Sequence, residues 1–289
     1  MTPNPKTILI TGASDGIGKE SAKALARQGH NIILHGRNQQ KTQAVQNEII
    51  AESGNKNIDC IIADFLLLSE VKQFADAIKQ KYDHIDVLMN NAGAIFDKER
   101  QTTPEGFEKT IALNLFAPFL LTELLMDLLK KSDAARIVNI SSEMHKWCGK
   151  PDLNDFQLEK SYAPGRAYGL TKLYLIWITR YLADDLRSKG ITNITANSLH
   201  PGVVATNFGQ AGNNGFMINF LFKVVYKFLT KSDKGAETSI YAAVSPEVAT
   251  ISGEYFKNKK IAKVDDKYYS KENEKKVWEY CMEVVKNFL

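Results

Sequence analysis

No run in this chain of 289 residues reaches 18 uninterrupted apolar residues, so a membrane-spanning helix is not expected. Cysteine is scarce: Cys60, Cys148 and Cys281 make an odd number without metal-ligand spacing. That excludes a disulfide framework and fits a reducing compartment. Five scattered histidines show no ligand pattern either, and no metal is expected. An excess of one charge is also missing. Thirty-seven basic residues face 33 acidic ones, and a formal charge of +4 is too small to imply nucleic acid. Internal repeats and low-complexity linkers are absent, so one domain over 1–289 is the economical expectation. Met1-Thr2-Pro3-Asn4-Pro5 leads directly into the first apolar run, which leaves no room for a signal peptide or an anchor. A cytoplasmic protein follows as the default.

What is present is organised around one glycine-rich turn, Thr11-Gly12-Ala13-Ser14-Asp15-Gly16-Ile17-Gly18. Before it stands the apolar, β-branched run Thr7-Ile8-Leu9-Ile10. After it, Ala22, Leu25 and Ala26 recur at helical spacing until Gly29 stops the pattern. Strand, glycine turn and helix together predict a dinucleotide site. Gly12 permits the tight turn, Gly16 lets a pyrophosphate approach the backbone, and Gly18 lets the helix pack closely. Free N–H groups at the helix N-terminus complete an anion site.

Strand and helix patterns then alternate, which predicts a doubly wound parallel sheet of about seven strands, a Rossmann fold. Strands are expected at 31–35, 58–63, 85–89, 137–140, 194–199 and 253–256. Helices are expected at 39–51, 70–79, 105–130 and 166–188. In such sheets ligands sit outside the carboxyl ends of the strands. Every oddity falls there: the glycine turn, Arg37, Asp64, Asn90-Asn91-Ala92-Gly93, Ser141-Ser142 and His200-Pro201-Gly202.

At the end of the second strand, Gly36-Arg37 supplies no acid for a ribose hydroxyl but one guanidinium suited to a 2′-phosphate. NADP(H) is therefore expected over NAD(H). Lys41, one turn on, would assist, while Asp15 adds a negative charge that works against it. Asp64 would accept from an adenine amino group or cap the helix that follows. Tyr168 and Lys172 lie four apart in the helical 166–188 pattern and so share a face. Lys172, together with the nicotinamide ring when oxidised, would favour the phenolate of Tyr168 and lower its pKa. Tyr255 and Lys259 repeat the spacing within a strand-like stretch, where the pair would not face one way. Ser142, with Ser141 as the alternative, offers a hydroxyl to a reacting oxygen. Asn114, polar within an apolar helix, either satisfies a neighbouring backbone group or holds a water beside Lys172.

These motifs, from Thr11–Gly18 through Asp64, Asn90–Gly93, Asn114, Ser142, Tyr168 with Lys172, and Pro201-Gly202, resemble the short-chain dehydrogenase/reductase family, and within it the retinol dehydrogenase-like branch. The resemblance implies a Ser142-Tyr168-Lys172-Asn114 tetrad in which Tyr168 is the acid/base, and Lys172 also binds the nicotinamide ribose. It implies cofactor contacts from Gly12, Ser14, Asp15, Gly16, Ile17, Gly18, Arg37, Asp64, Asn91, Ala92 and Gly93, and from Pro201, Gly202 and Val203. Two departures stand out. Ser142 and Tyr168 are 26 residues apart, about twice the spacing of many members. The extra segment, 147–166, should border the substrate. The N-terminal membrane anchor of several animal members is not seen.

The expected activity is an NADP-dependent oxidoreductase that interconverts an alcohol and an aldehyde or ketone by hydride transfer. A dinucleotide-binding sensor or scaffold, or a nucleotide-sugar epimerase or dehydratase, is the alternative. The segment at about 203–232 is expected to form a substrate lid. Within it, 216–229 has Asn219, Lys223 and Lys227 as a narrow polar stripe on a broad apolar helix. That face predicts an apolar substrate, a second subunit in a homo-oligomer, or contact with a membrane surface.

Overall fold

Four consecutive buried residues mark Thr7–Ile10 as a strand covered on both faces, β1 of the computed structural model, which describes residues 4–201 and 232–289. The strands that follow are β2 (Asn31–Gly36), β3 (Ile58–Ile62), β4 (Val87–Asn90), β5 (Ala135–Ile140), β6 (Ile194–His200), β7 (Tyr255–Lys257) and β8 (Lys260–Ile261). They form one sheet in the order β3-β2-β1-β4-β5-β6-β7-β8. All pairings are parallel except β7 with β8, a hairpin turned through Asn258 and Lys259 at positive φ. That antiparallel edge makes eight strands where about seven were expected.

Helices connect the strands: α1 (Gly16–Arg27), α2 (Gln39–Ser53), α3 (Leu68–Lys81), α4 (Lys109–Ile111), a π-helical turn (Ala112–Phe116), α5 (Ala117–Lys130), α6 (Pro164–Ser188), α7 (Ser232–Val244) and α8 (Lys271–Val285). Alternate residues of each strand feed opposite faces of the sheet. Leu9, Leu88 and Ile137 pack in one core with residues of α3, α5, α6 and α8. Ile8, Ile10, Met89 and Val138 pack in the other with residues of α1, α2 and α7. The strand order reverses between β1 and β4, and ligands bind at that switch in this architecture.

Three expectations need correction. The helix expected from Glu105 starts at Lys109, because Gly106 takes a φ of +89° and Glu108 caps the new start through the N–H groups of Thr110 and Ile111. Glu105 instead accepts hydrogen bonds from the N–H groups of Leu68 and Ser69, at 2.7 and 3.0 Å, and so caps α3. Asp64 does not cap that helix; its Oδ1 accepts from the N–H of Leu66 at 3.1 Å, one turn too early. The third concerns hydropathy. Lys109–Lys130, 22 residues long, holds an 18-residue window of mean hydropathy 1.6, enough by length and composition to cross a membrane, although no uninterrupted run shows it. In the fold 78% of its most apolar window is buried as core. The absence of an apolar run therefore gives no ground for a cytoplasmic location.

Candidate active site

The glycine turn is clamped to the loop after β4. The Thr11 hydroxyl accepts from the N–H groups of Asn91 and Ala92, both at 2.9 Å, and donates to the Met89 carbonyl. The Asn91 amide donates back to the carbonyls of Thr11 (2.8 Å) and Gly12 (3.1 Å). Gly12 has a φ of +63°, and a Cβ there would lie 2.8 Å from the Cα of Ala92, so no other residue fits. A Cβ on Gly18 would meet the Gly12 carbonyl oxygen and the Asn91 amide at 2.5 Å. Asp15 caps α1 through the N–H of Gly16 at 2.8 Å. Ser14 and Ile17 are half-buried on the same turn.

His35 is a support that the sequence pattern did not reveal. Its Nδ1 accepts from the Gly12 N–H at 3.2 Å and its Nε2 lies 3.0 Å from the Ala63 carbonyl. The ring stacks on Phe65 with centroids 3.7 Å apart. Burial lowers its pKa to about 4, which keeps it neutral and able to accept from Gly12. A histidine inside an otherwise apolar strand was the available signal.

Beyond β2, Arg37 is exposed and makes no hydrogen bond or ion pair among the described residues. Lys41 does not join it. Its Nζ lies 2.7 Å from Asp15 Oδ2, drawn there by the opposite charge. The acid that weighed against a 2′-phosphate is thereby offset.

The second half of the site lies where β5 faces α6. Ser142 follows β5, and its Oγ accepts from the Met144 N–H at 3.2 Å, capping a 3-10 turn at Glu143–Trp147. Its hydroxyl is also hydrogen-bonded to the Tyr168 phenol. Ser141 differs: its buried hydroxyl donates to the Lys172 carbonyl at 2.8 Å. Lys172 Nζ lies 5.4 Å from the centre of the Tyr168 ring and donates to the Ile140 carbonyl at 2.8 Å. The control pair separates as expected: Tyr255 is buried in β7, whereas Lys259 is exposed and ion-paired with Glu237.

The protein's own groups, without the nicotinamide charge, do not favour a phenolate. Burial raises the pKa of Tyr168, and the hydrogen bond from Ser142 only partly offsets it. Burial also lowers Lys172 to about 7. With both groups out of water, desolvation dominates both shifts. At neutral pH the phenol is protonated, the state a proton donor needs.

Asn114 sits in the π-helical turn, a distortion that often marks functional positions. Both its polar atoms engage Ala94: Oδ1 accepts from the N–H at 3.0 Å and Nδ2 donates to the carbonyl at 2.9 Å. A Cβ on Gly93 would lie 3.0 Å from Asn114 Oδ1 and 3.4 Å from Lys172 Nζ. Asn114, Gly93 and Lys172 thus converge, with space kept by the missing side chain. Pro201 follows β6 on the same rim of the sheet, half-buried. Gly202, Val203 and the 216–229 stretch lie outside the described residues. The 147–166 segment is anchored rather than looped out. Phe156 stacks on Tyr280 at 4.1 Å, the Tyr162 hydroxyl donates to the Asp97 carbonyl, and Arg166 donates to the carbonyls of Cys148 and Lys150. Among the described residues no cluster of His, Cys, Asp and Glu is arranged to hold a metal.

A family model described as short chain dehydrogenase matches residues 6–215. Human polyprenol dehydrogenase is 35% identical over 289 residues, spanning 98% of this chain and 86% of its own length. Human retinol dehydrogenase 13 is 36% identical over 255 residues, 87% of this chain and 76% of its own. A Shigella flexneri short-chain dehydrogenase crystallised with NADP superposes with a TM-score of 0.70 at 27% identity, covering 89% of this chain and 98% of that one. An uncharacterised Mycobacterium paratuberculosis protein gives 0.77 at 26% identity, covering 97% and 93%.

Proposed function

The chain belongs to the short-chain dehydrogenase family and is a nicotinamide-dependent oxidoreductase; on that premise we propose that it interconverts an apolar alcohol and its aldehyde or ketone with NADP(H). The observation that carries this reading is the buried Tyr168 phenol, hydrogen-bonded to Ser142 with the Lys172 ammonium 5.4 Å from its ring. The described residues fit the cofactor. The clamped glycine turn offers the start of α1 to phosphates, unpartnered Arg37 suits a 2′-phosphate, and Gly93 keeps space open beside Lys172. When bound, NADPH supplies the hydride for reduction.

The rest is proton handling by this chain. The Tyr168 phenol donates its proton to the carbonyl oxygen while the Ser142 hydroxyl donates a second hydrogen bond to that oxygen. Lys172, once charged, stabilises the phenolate left behind. Asn114 holds the Gly93-Ala94 backbone beside Lys172, where a water would return the proton. Arg37 and the loop residues Asp64, Asn91, Ala92 and Gly93 hold the cofactor, with Pro201 on the same rim of the sheet. An apolar substrate agrees with the retinol and polyprenol in the names of two relatives, and the 147–166 segment would border it.

The test is NADPH consumption over a homologous series of aldehydes. Each added buried methylene should improve binding by about 0.8 kcal/mol until the pocket is full. Tyr168→Phe should lose roughly 10²–10⁴ in turnover with NADPH affinity retained, the range of general acid catalysis. Tight NADPH binding without turnover of any carbonyl or alcohol would point to a sensor. A preference for NADH would overturn the role of Arg37.

A further inference from the structure

The turn that carries Ser142 is held from three sides, by residues that the catalytic set does not include. His145 is buried, and its Nδ1 lies 2.6 Å from the Ser142 carbonyl oxygen. A carbonyl only accepts, so Nδ1 carries the proton and donates. Nε2 then accepts from the Asp265 N–H, at 3.4 Å. One imidazole thus ties the backbone of Ser142 to the segment after β8. Glu143, the next residue after Ser142, ties the same turn to β7. Its carboxylate lies 3.1 Å from Lys257 Nζ and 2.9 Å from Lys146 Nζ, and it accepts from the Tyr255 hydroxyl at 3.3 Å. Burial alone would raise its pKa, but these cations hold it near 2, so the tie persists across the neutral range. The third side is α6 itself. Gly169 lies beside Tyr168, and a Cβ there would come within 2.7 Å of the Met144 carbonyl oxygen and 2.9 Å of the Cys148 Cβ. The turn therefore presses directly on the helix that carries the phenol.

These restraints have a consequence for one proton. The Met144 N–H occupies one acceptor position on Ser142 Oγ. With that lone pair taken and the backbone carbonyl fixed by His145, the hydroxyl proton is left to point toward Tyr168 and the reacting oxygen. We infer that His145, braced by Glu143 and the bare face of Gly169, is a positioning residue that aims the Ser142 hydroxyl at the substrate oxygen. This rests on the activity proposed above. It extends that reading by making the last strand pair of the sheet part of the catalytic geometry.

The experiment compares parent, His145→Ala, His145→Asn and Tyr168→Phe in carbonyl reduction with NADPH. Each is measured for kcat, KM, NADPH dissociation constant and melting temperature. His145→Ala should lower kcat roughly tenfold or more with NADPH affinity unchanged, because none of the residues assigned to the cofactor lies in Glu143–Trp147. Asn keeps an N–H near the position of Nδ1, so His145→Asn should recover most of that loss. Gly169→Ala should also lower kcat, by pushing the turn away from α6. Unchanged kcat in His145→Ala while Tyr168→Phe is inactive would overturn the positioning role and leave the activity standing. A kcat loss in both His145 variants that follows melting temperature and NADPH affinity would overturn it as well, as a folding effect. Full activity in Tyr168→Phe would instead refute the activity on which it rests.

Discussion

Lys172 is an ammonium buried in the core of the site, and its single hydrogen bond in the described structure, to the Ile140 carbonyl, does not replace the water it has lost. Its pKa falls from 10.5 to about 7, and at about 1.36 kcal/mol per unit that is a penalty of several kcal/mol on the charged form. Between those two values the unfolded chain binds more protons than the folded one, so stability rises with pH over that window. Below about pH 7 both states are charged and the penalty is complete. In the absence of cofactor, Lys172→Met should therefore be more stable than the parent at pH 6, with an advantage that shrinks as pH approaches 10. Urea unfolding at several pH values measures it, and a gap independent of pH would contradict the burial. At this scale the sequence was legible where a side chain has one kind of task. Tyr168 with Lys172 could be chosen over Tyr255 with Lys259 from the helical context alone. Ser141 and Ser142 could not be separated, because the difference between them is which carbonyl or phenol each hydroxyl meets. His35 was missed because its value lies in hydrogen bonds to Gly12 and Ala63, 23 and 28 residues away.

Among elements, the parallel strands were readable because each is a short, largely apolar run, while β8 (Lys260–Ile261) and the helix starts were not. The hydropathy pattern of 105–130 hides the left-handed Gly106 and gives no sign that Glu105 turns to a different helix. Its carboxylate meets two of the unpaired N–H groups at the start of α3, where it also complements the helix dipole. Replacing Glu105 with Ala should cost about 1 kcal/mol, as loss of an N-cap does, and lower the melting temperature by a few degrees. Calorimetry decides this; an unchanged transition would mean that water serves those N–H groups as well. The π-helical turn was likewise hidden. An extra residue in a turn leaves the apolar spacing almost intact, yet it delivers Asn114 to Ala94.

For the whole molecule, alternation of strand and helix patterns was enough to read the doubly wound sheet, since every crossover obeys the same rule of hand and burial. The C-terminal helix α8 was not foreseen, although Val277, Cys281 and Val285 recur at four-residue spacing and all are fully buried. It closes the face formed by α5 and α6: Trp278 lies between Phe119, with centroids 4.8 Å apart, and Tyr181, stacked at 4.5 Å. Trp278→Ala should lower stability by about 2–4 kcal/mol, less than a fully buried tryptophan would because this one is half-buried. The readout is the urea midpoint at unchanged slope. If the midpoint did not move, α8 would be an ornament to the core. The sheet it helps to cover ends, on its far side, in the two-residue strand β8. That brevity matters for a molecule with an eight-stranded ladder, because an open edge invites a strand from another copy. β8 offers only Lys260 and Ile261 for such pairing, with Lys260 and Lys263 placing positive charge where a second copy would bring the same charges. At the opposite edge β3 carries Asp59, held in an ion pair with Lys81. Neither margin provides a long uncharged template, and the fold is thereby protected against growing into fibrils strand by strand.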